Sequence, residues 1–175
     1  MLFRSDGTGI WNQGSSMSSA KRVNSITGQK ISCEGGYADK YSCKGLDLYA
    51  FIAPDDMGGT ELNDIWGWTD PQTGKEIALV GLREGTAFVD VTDPENPLVL
   101  GQLPTHTRSS TWRDIKVYKN HAYIVSDNAS DHGVQVFDLT SLRGVTEFTT
   151  FNETNHYGNV GSVHNIHINE ATGFA

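Results

Sequence analysis

Four of the six histidines, His106, His132, His156 and His164, fall in polar stretches that also carry Arg113, Asp114 and the acidic run Asp127 to Asp131. Imidazole, carboxylate and guanidinium together can bind an anionic ligand, hold a transition metal or move a proton. A catalytic reading takes His106, Arg113, Asp114, His156 and His164 as the working groups of a hydrolase or lyase. A binding reading takes Asn63, His106, Arg113, His132, His156 and His164 as ligand contacts. The plainest reading is a set of polar loop residues that satisfy one another. Spacing narrows the choice. No His-x-His or His-Glu-x-x-His occurs, and His164-Asn-Ile-His167 would put its two rings on opposite faces of a strand, so neither a metal centre nor a cofactor is expected. Asp127 to Asp131 lacks the glycine and terminal glutamate of an EF-hand. There is no Gly-x-Ser-x-Gly and no phosphate-cradling glycine loop. Ser162 stands near His164 in the chain, but a nucleophile also needs an oriented base and an oxyanion site. Trp66, Trp68 and Trp112 could form a sugar-stacking platform, although Trp66 and Trp68 share one strand face, where an aromatic pair is more often core.

The elements that position these residues repeat. Asn63-Asp-Ile-Trp-Gly-Trp, Ile77-Ala-Leu-Val-Gly-Leu and Gly85-Thr-Ala-Phe-Val-Asp-Val-Thr return as Arg113-Asp-Ile-Lys-Val-Tyr, Ala122-Tyr-Ile-Val-Ser and Gly133-Val-Gln-Val-Phe-Asp-Leu-Thr, and a third copy begins at His164-Asn-Ile. Asp64, Asp114 and Asn165 are 50 and 51 residues apart, and Asp90 and Asp138 are 48 apart, a period at which propeller blades and solenoids lie. Each unit holds four apolar or alternating runs, over 64–69, 76–82, 85–92 and 97–103, then 113–118, 121–126, 133–140 and 145–151. Valine, isoleucine, phenylalanine and tyrosine fill them, and turn residues separate them. Asp70-Pro-Gln-Thr-Gly74 and Asn169-Glu-Ala-Thr-Gly173 are equivalent turns. Pro97 heads the fourth run and predicts an outer, edge strand, because proline cannot donate to a ladder. The second and third runs are apolar on both faces, which predicts sheets covered on both sides. The fold expected is all-β: a β-propeller fragment of about two and a half four-stranded antiparallel blades, over 63–104, 113–153 and an incomplete 164–175. A β-solenoid or sandwich is the alternative.

Recurrence also sorts the polar residues. Asp64, Asp90, Asp114, Asp138 and Asn165 return at equivalent places and read as architectural, the Asp90 and Asp138 carboxylates accepting backbone N–H bonds in the adjoining turns. Asn63, Arg113 and His164 differ at one equivalent place and are the better functional candidates. The loops over 105–112, 126–132 and 155–163 should open on the same face as these positions.

Residues 1–45 read as a loosely ordered leader with a Cys33 to Cys43 loop, followed by a strand over Leu46 to Ile52 and the repeat region within 46–175. The two cysteines lie in no Cys-x-x-Cys pair and read as a disulfide, against two unrelated thiols, which would imply an oxidising compartment. A net charge of −8 without a Lys/Arg cluster makes nucleic acid an unfavoured partner. No apolar run approaches the roughly twenty residues that span a bilayer, and no secretory signal is visible near Met1. Asn128-Ala-Ser130 and Asn152-Glu-Thr154 match the glycosylation sequon.

Phe88-Val-Asp-Val-Thr-Asp-Pro-Glu-Asn-Pro97, followed by Leu100-Gly101, resembles the LVIVD repeat of surface propellers. Asn63 to Glu76, with Leu103 to Thr107, Thr111 to Asp114, His132 to Asp138 and His164 to Ile166, is similar to the choice-of-anchor B family from about residue 33 onward. The resemblance implies an exported, surface-attached propeller completed by further blades, with an anchor outside the propeller, and it brings no activity. The function expected is a non-catalytic extracellular scaffold for an unknown protein, small-molecule or glycan ligand.

Overall fold

The structure is a computed structural model and describes residues 23–175; the part of the predicted leader before Val23 lies outside the described residues. The fold is all-β. Strand β1 (Tyr37–Ala38) and β2 (Tyr41–Ser42) form a small hairpin. Strands β3 (Leu62–Thr69), β4 (Glu76–Leu82), β5 (Gly85–Asp90) and β6 (Leu98–Pro104) form an antiparallel meander. Strands β7 (Arg113–Tyr118), β8 (His121–Ser126) and β9 (Val134–Asp138) begin a second meander. Strand β10 (Thr149–Thr150) joins the first sheet and β11 (Asn155–Tyr157) the second, giving sheet orders β10-β6-β5-β4-β3 and β11-β9-β8-β7.

Side-chain alternation builds two cores from the first sheet. Ile77, Leu79 and Phe88 face the second sheet and meet Ile115, Ala122, Ile124 and Phe137 there. The Phe88 and Phe137 rings stack at 4.7 Å between centroids, and Phe151 meets both edge-on at 5.7 and 5.3 Å. Val80, Leu82, Ala87 and Val89 point the other way, to Met57 and Ile52 of the segment that precedes β3. That segment leaves an apolar hollow of about 380 Å³ beside Leu48, Phe51 and Ile65. Both faces of the first sheet are therefore covered, as the doubly apolar runs imply.

The turns have a chemical reason. Gly74 N–H donates to Asp70 O at 2.8 Å, and Gly173 N–H to Asn169 O at 2.7 Å, so the two sequence-equivalent turns close alike. Asp90 Oδ1 accepts the Thr92 N–H and hydroxyl at 3.1 and 2.5 Å, and Asp138 Oδ1 accepts the Thr140 N–H and hydroxyl at 2.9 and 2.7 Å. These Asp-x-Thr turns end the third strand of each meander. Buried Asp70 then receives Arg143 Nη2 at 2.7 Å and Nε at 3.0 Å, a two-pronged bond from one sheet to the other.

Four expectations need correction. The run over 145–151 is not the fourth strand of its meander: β10 lies parallel to β6 across Gly101 and Gln102, and Asn155–Tyr157 takes the place beside β9. The cause is the 3₁₀ turn Leu139–Leu142 with left-handed Gly144, which sends the chain back over the first sheet, where Phe151 enters the core. It follows that β6 is not the outermost strand along its whole length, although Pro97 stays outside the ladder. Leu46 to Ile52 makes only isolated bridges, Leu48 with Ile31 and Phe51 with Ile26, because Gly28 between those partners turns away to donate to Glu95 O at 2.7 Å. Residues 164–175 contain no strand; Ile166 is held by a side chain and Asn169 bridges Phe174.

Candidate functional site

Three loops pack into one layer at the end of the sheets where β7 begins. Arg108 Nε donates to Asn128 O at 2.9 Å, the Thr107 hydroxyl donates to Ala129 O, and Ser110 Oγ donates to Asp127 O at 2.5 Å. Gly133 N–H donates to Gly161 O and Val163 N–H to Ser126 O, both at 3.1 Å. His106, His132, His156 and His164 all lie in or beside this layer, as the equivalence of the loops leads one to expect. They fall into two groups.

The first group lines an open pocket of about 230 Å³ built from the repeated pairs Asn63–Asp64, Arg113–Asp114 and His164–Asn165, with half-exposed Trp112 at its rim. Asp64 Oδ2 accepts Ile115 N–H at 2.8 Å, and Asp114 Oδ2 accepts Ile166 N–H at 2.7 Å. Asn63 Oδ1 accepts Arg113 N–H at 3.1 Å. Each repeated carboxylate thus holds the backbone of the next repeat. Asp114 also pairs with the Lys116 ammonium, which lies 4.5 Å above the Trp66 ring. Burial raises the Asp64 carboxyl above its ordinary range, with the neighbouring Asp114 charge adding to it. Burial pushes Asp114 the same way, but Lys116 and the Ile166 N–H outweigh it and hold Asp114 below that range. The two carboxyls are thus shifted in opposite directions and titrate as a pair.

Two expected contacts are closed off. Arg113 is 3% exposed: its Nε donates to Leu82 O at 2.6 Å and its Nη1 lies 3.3 Å from His132 Nε2. Burial lowers its ionisation to about 10, so the guanidinium keeps its charge at neutral pH. His132 is fully buried, with Nδ1 at 3.1 Å from Gly133 O, which makes Nδ1 the protonated nitrogen and Nε2 the acceptor from Arg113. Burial, joined by the Arg113 charge and opposed by the Gly133 carbonyl, keeps His132 below the usual histidine range. His164 is exposed, with Nδ1 3.1 Å from Asp127 Oδ2. Ser162 Oγ is engaged by Ala129 N–H and Ser130 O, so Ser162, His164 and Asp127 form no relay. The three tryptophans form no platform, since Trp68 is buried between the sheets.

The second group is compact. The His106 and His156 rings stack at 3.7 Å with planes 13° apart. His106 Nδ1 lies 2.9 Å from Glu153 Oε1, and His156 Nε2 donates to His132 O at 2.7 Å. Buried Gln135 donates Nε2 to Glu153 Oε2 at 2.9 Å and to Pro104 O at 3.0 Å. Neither Glu153 nor Gln135 was a sequence candidate. A glutamine on the inward face of Val-Gln-Val-Phe was the available signal, because a buried amide must find partners. Asp90 and Asp138 are remote from both groups, at their turns.

Cys33 and Cys43 form a disulfide, as expected. Among the described residues no helix is long and apolar enough to cross a membrane. Comparison with family models, curated proteins and solved structures finds no match to this chain. The class that fold and site define is an all-β protein of two face-packed, mainly antiparallel sheets with a polar loop face.

Proposed function

We propose that this chain is part of a β-propeller of the choice-of-anchor B kind, exported or displayed at a cell surface, whose loop face binds a polar ligand without chemically changing it. The observation that carries the reading is the repeated joint: Asp64 on β3 accepts the Ile115 N–H of β7, and Asp114 on β7 accepts the Ile166 N–H at the equivalent place of the next sequence unit. Such a joint fits units set radially about an axis better than two sheets of a sandwich. The disulfide fits an oxidising compartment. At the axis end the pocket offers amides, carboxyls and the exposed Trp112 ring, the combination that suits a hydroxyl-rich ligand such as a glycan. Saturation-transfer NMR against a panel of soluble oligosaccharides is the test. Transfer to one class that disappears in Trp112→Ala supports the reading; no transfer, or transfer unaffected by that change, overturns it.

A hydrolase or lyase is the second reading, favoured by the unequal proton affinities of Asp64 and Asp114. Binding is preferred because both carboxylates are occupied by backbone N–H groups and Arg113 is withdrawn into the protein.

A further inference from the structure

We propose that His106, His156 and Glu153 form a binding site for one divalent transition-metal ion of the zinc class. One ligand atom from each side chain lies within 4.8 Å of the other two. Two imidazoles and a carboxylate are a borderline-soft set that leaves a fourth tetrahedral position for water or ligand. The site stands apart from the pocket at Asp64 and Asp114 and does not rest on the proposal made for it.

Outer bonds already orient two of the three ligands. A metal-bound histidine ordinarily donates its other N–H to a carbonyl or carboxylate, and a metal-bound carboxylate is itself hydrogen-bonded. His156 Nε2 donates to the His132 carbonyl at 2.7 Å, which fixes the tautomer and leaves Nδ1 with a free lone pair. Glu153 Oε2 is held by the Gln135 amide at 2.9 Å, and Gln135 is anchored in turn on Pro104 O. Glu153 Oε1 is left facing His106 Nδ1 at 2.9 Å, a gap that a proton bridges now and an ion can occupy in its place. The two sites of attachment, the β6–β7 loop and the stretch entering β11, would then be cross-linked.

The two rings stack, and binding one ion requires them to part. A metal must lie in the plane of each imidazole it binds, and two stacked rings with centroids 3.7 Å apart and planes only 13° off parallel share no such point within bonding reach. His106 is the ring that must turn. Its side chain is 34% exposed, and besides the stacking its one hydrogen-bond partner among the described residues is Glu153, whereas His156 is pinned to the backbone. Ligand atoms at about 2.0–2.2 Å from zinc are about 3.3 Å from one another, so the His106–Glu153 pair at 2.9 Å must open slightly, and any pair nearer the 4.8 Å limit must close.

The test uses the untagged chain freed of metal by chelator, titrated with Co²⁺ under visible absorption and with Zn²⁺ by calorimetry. One ion per chain is expected, with His106→Ala or His156→Ala weakening it about 100-fold or more and Glu153→Gln about 10- to 100-fold. His164→Ala and His121→Ala should bind as the parent does. Because His156→Ala also removes a bond to the His132 carbonyl, protection from diethyl pyrocarbonate provides a second readout: Zn²⁺ should shield two histidines in the parent. Failure of the parent to take up one ion, parental affinity in a His106→Ala/His156→Ala double variant, or loss of binding in His164→Ala would overturn the site.

Discussion

A single hydrogen-bond acceptor decides most of what Asp64 does. Its oxygen meets the N–H of fully buried Ile115, and the same position in the third copy is Asn165, which offers the same acceptor without charge. Asp64→Asn should therefore change stability little, while Asp64→Ala leaves a buried donor unpaired and should cost roughly 1–3 kcal/mol, read from urea melts of the pair. Acid sensitivity has the opposite source. Arg143 beside Asp70 holds that carboxyl far below the usual carboxylate range, and the Thr140 hydroxyl holds Asp138 low. A group with a depressed native pKa binds fewer protons folded than unfolded, so its stabilisation is complete above about pH 4 and drains away as pH falls further. Asp64 has the reverse sign: its raised value contributes most at low pH and loses that contribution as pH rises through it. Stability measured from pH 7 to 2 should decline below about pH 4, and Asp70→Asn should flatten that decline. The recurring aspartates were legible in the chain because they repeat. Glu153 and Gln135 were not, because each acts through a partner that no short spacing connects, His106 lying 47 residues from Glu153.

Strand β10 exists because residue 101 is glycine. Gly101 has φ +147°, and a Cβ there would collide with the Thr149 carbonyl of the strand laid against it. Gly101→Ala should expel β10 from the edge of β6, releasing amide protection at Thr149 and at Phe151, whose N–H donates to Gln102 O at 2.8 Å, while β4 and β5 keep theirs. Hydrogen exchange with residue resolution reads this directly. Seven strands, β3 through β9, fall within two or three residues of the runs marked by β-branched and aromatic residues, because each alternates against a neighbour joined by a short turn. The eighth run failed for a reason outside its own composition: Val145 to Phe151 has strand chemistry, but the preceding 3₁₀ turn chooses its neighbour. Leu46 to Ile52 failed likewise, its ladder interrupted by a partner strand that bends at Gly28.

Between the two sheets one aromatic group carries the interface. Phe88, Phe137 and Phe151 are mutually in contact, and Phe137 is 1% exposed. Phe137→Ala should cost about 3–5 kcal/mol, and both sheets should unfold in the same transition, with buried Trp68 fluorescence and far-ultraviolet circular dichroism tracing one curve. Separate curves would mean that each sheet stands alone. The covered faces of the first sheet could be read from its doubly apolar runs, but the second sheet leaves Tyr123, Val134 and Val136 half-buried on its outer face, and the way the segment before β3 closes the first sheet was not legible, since Ile52 and Met57 sit in a stretch with no period. The carboxylate that reaches from one repeat to the backbone of the next has a last consequence. The second unit is held from behind through Ile115 and reaches onward through Asp114, so it has both an eye and a hook, and a copy of it inserted beside itself would require no newly invented fastening.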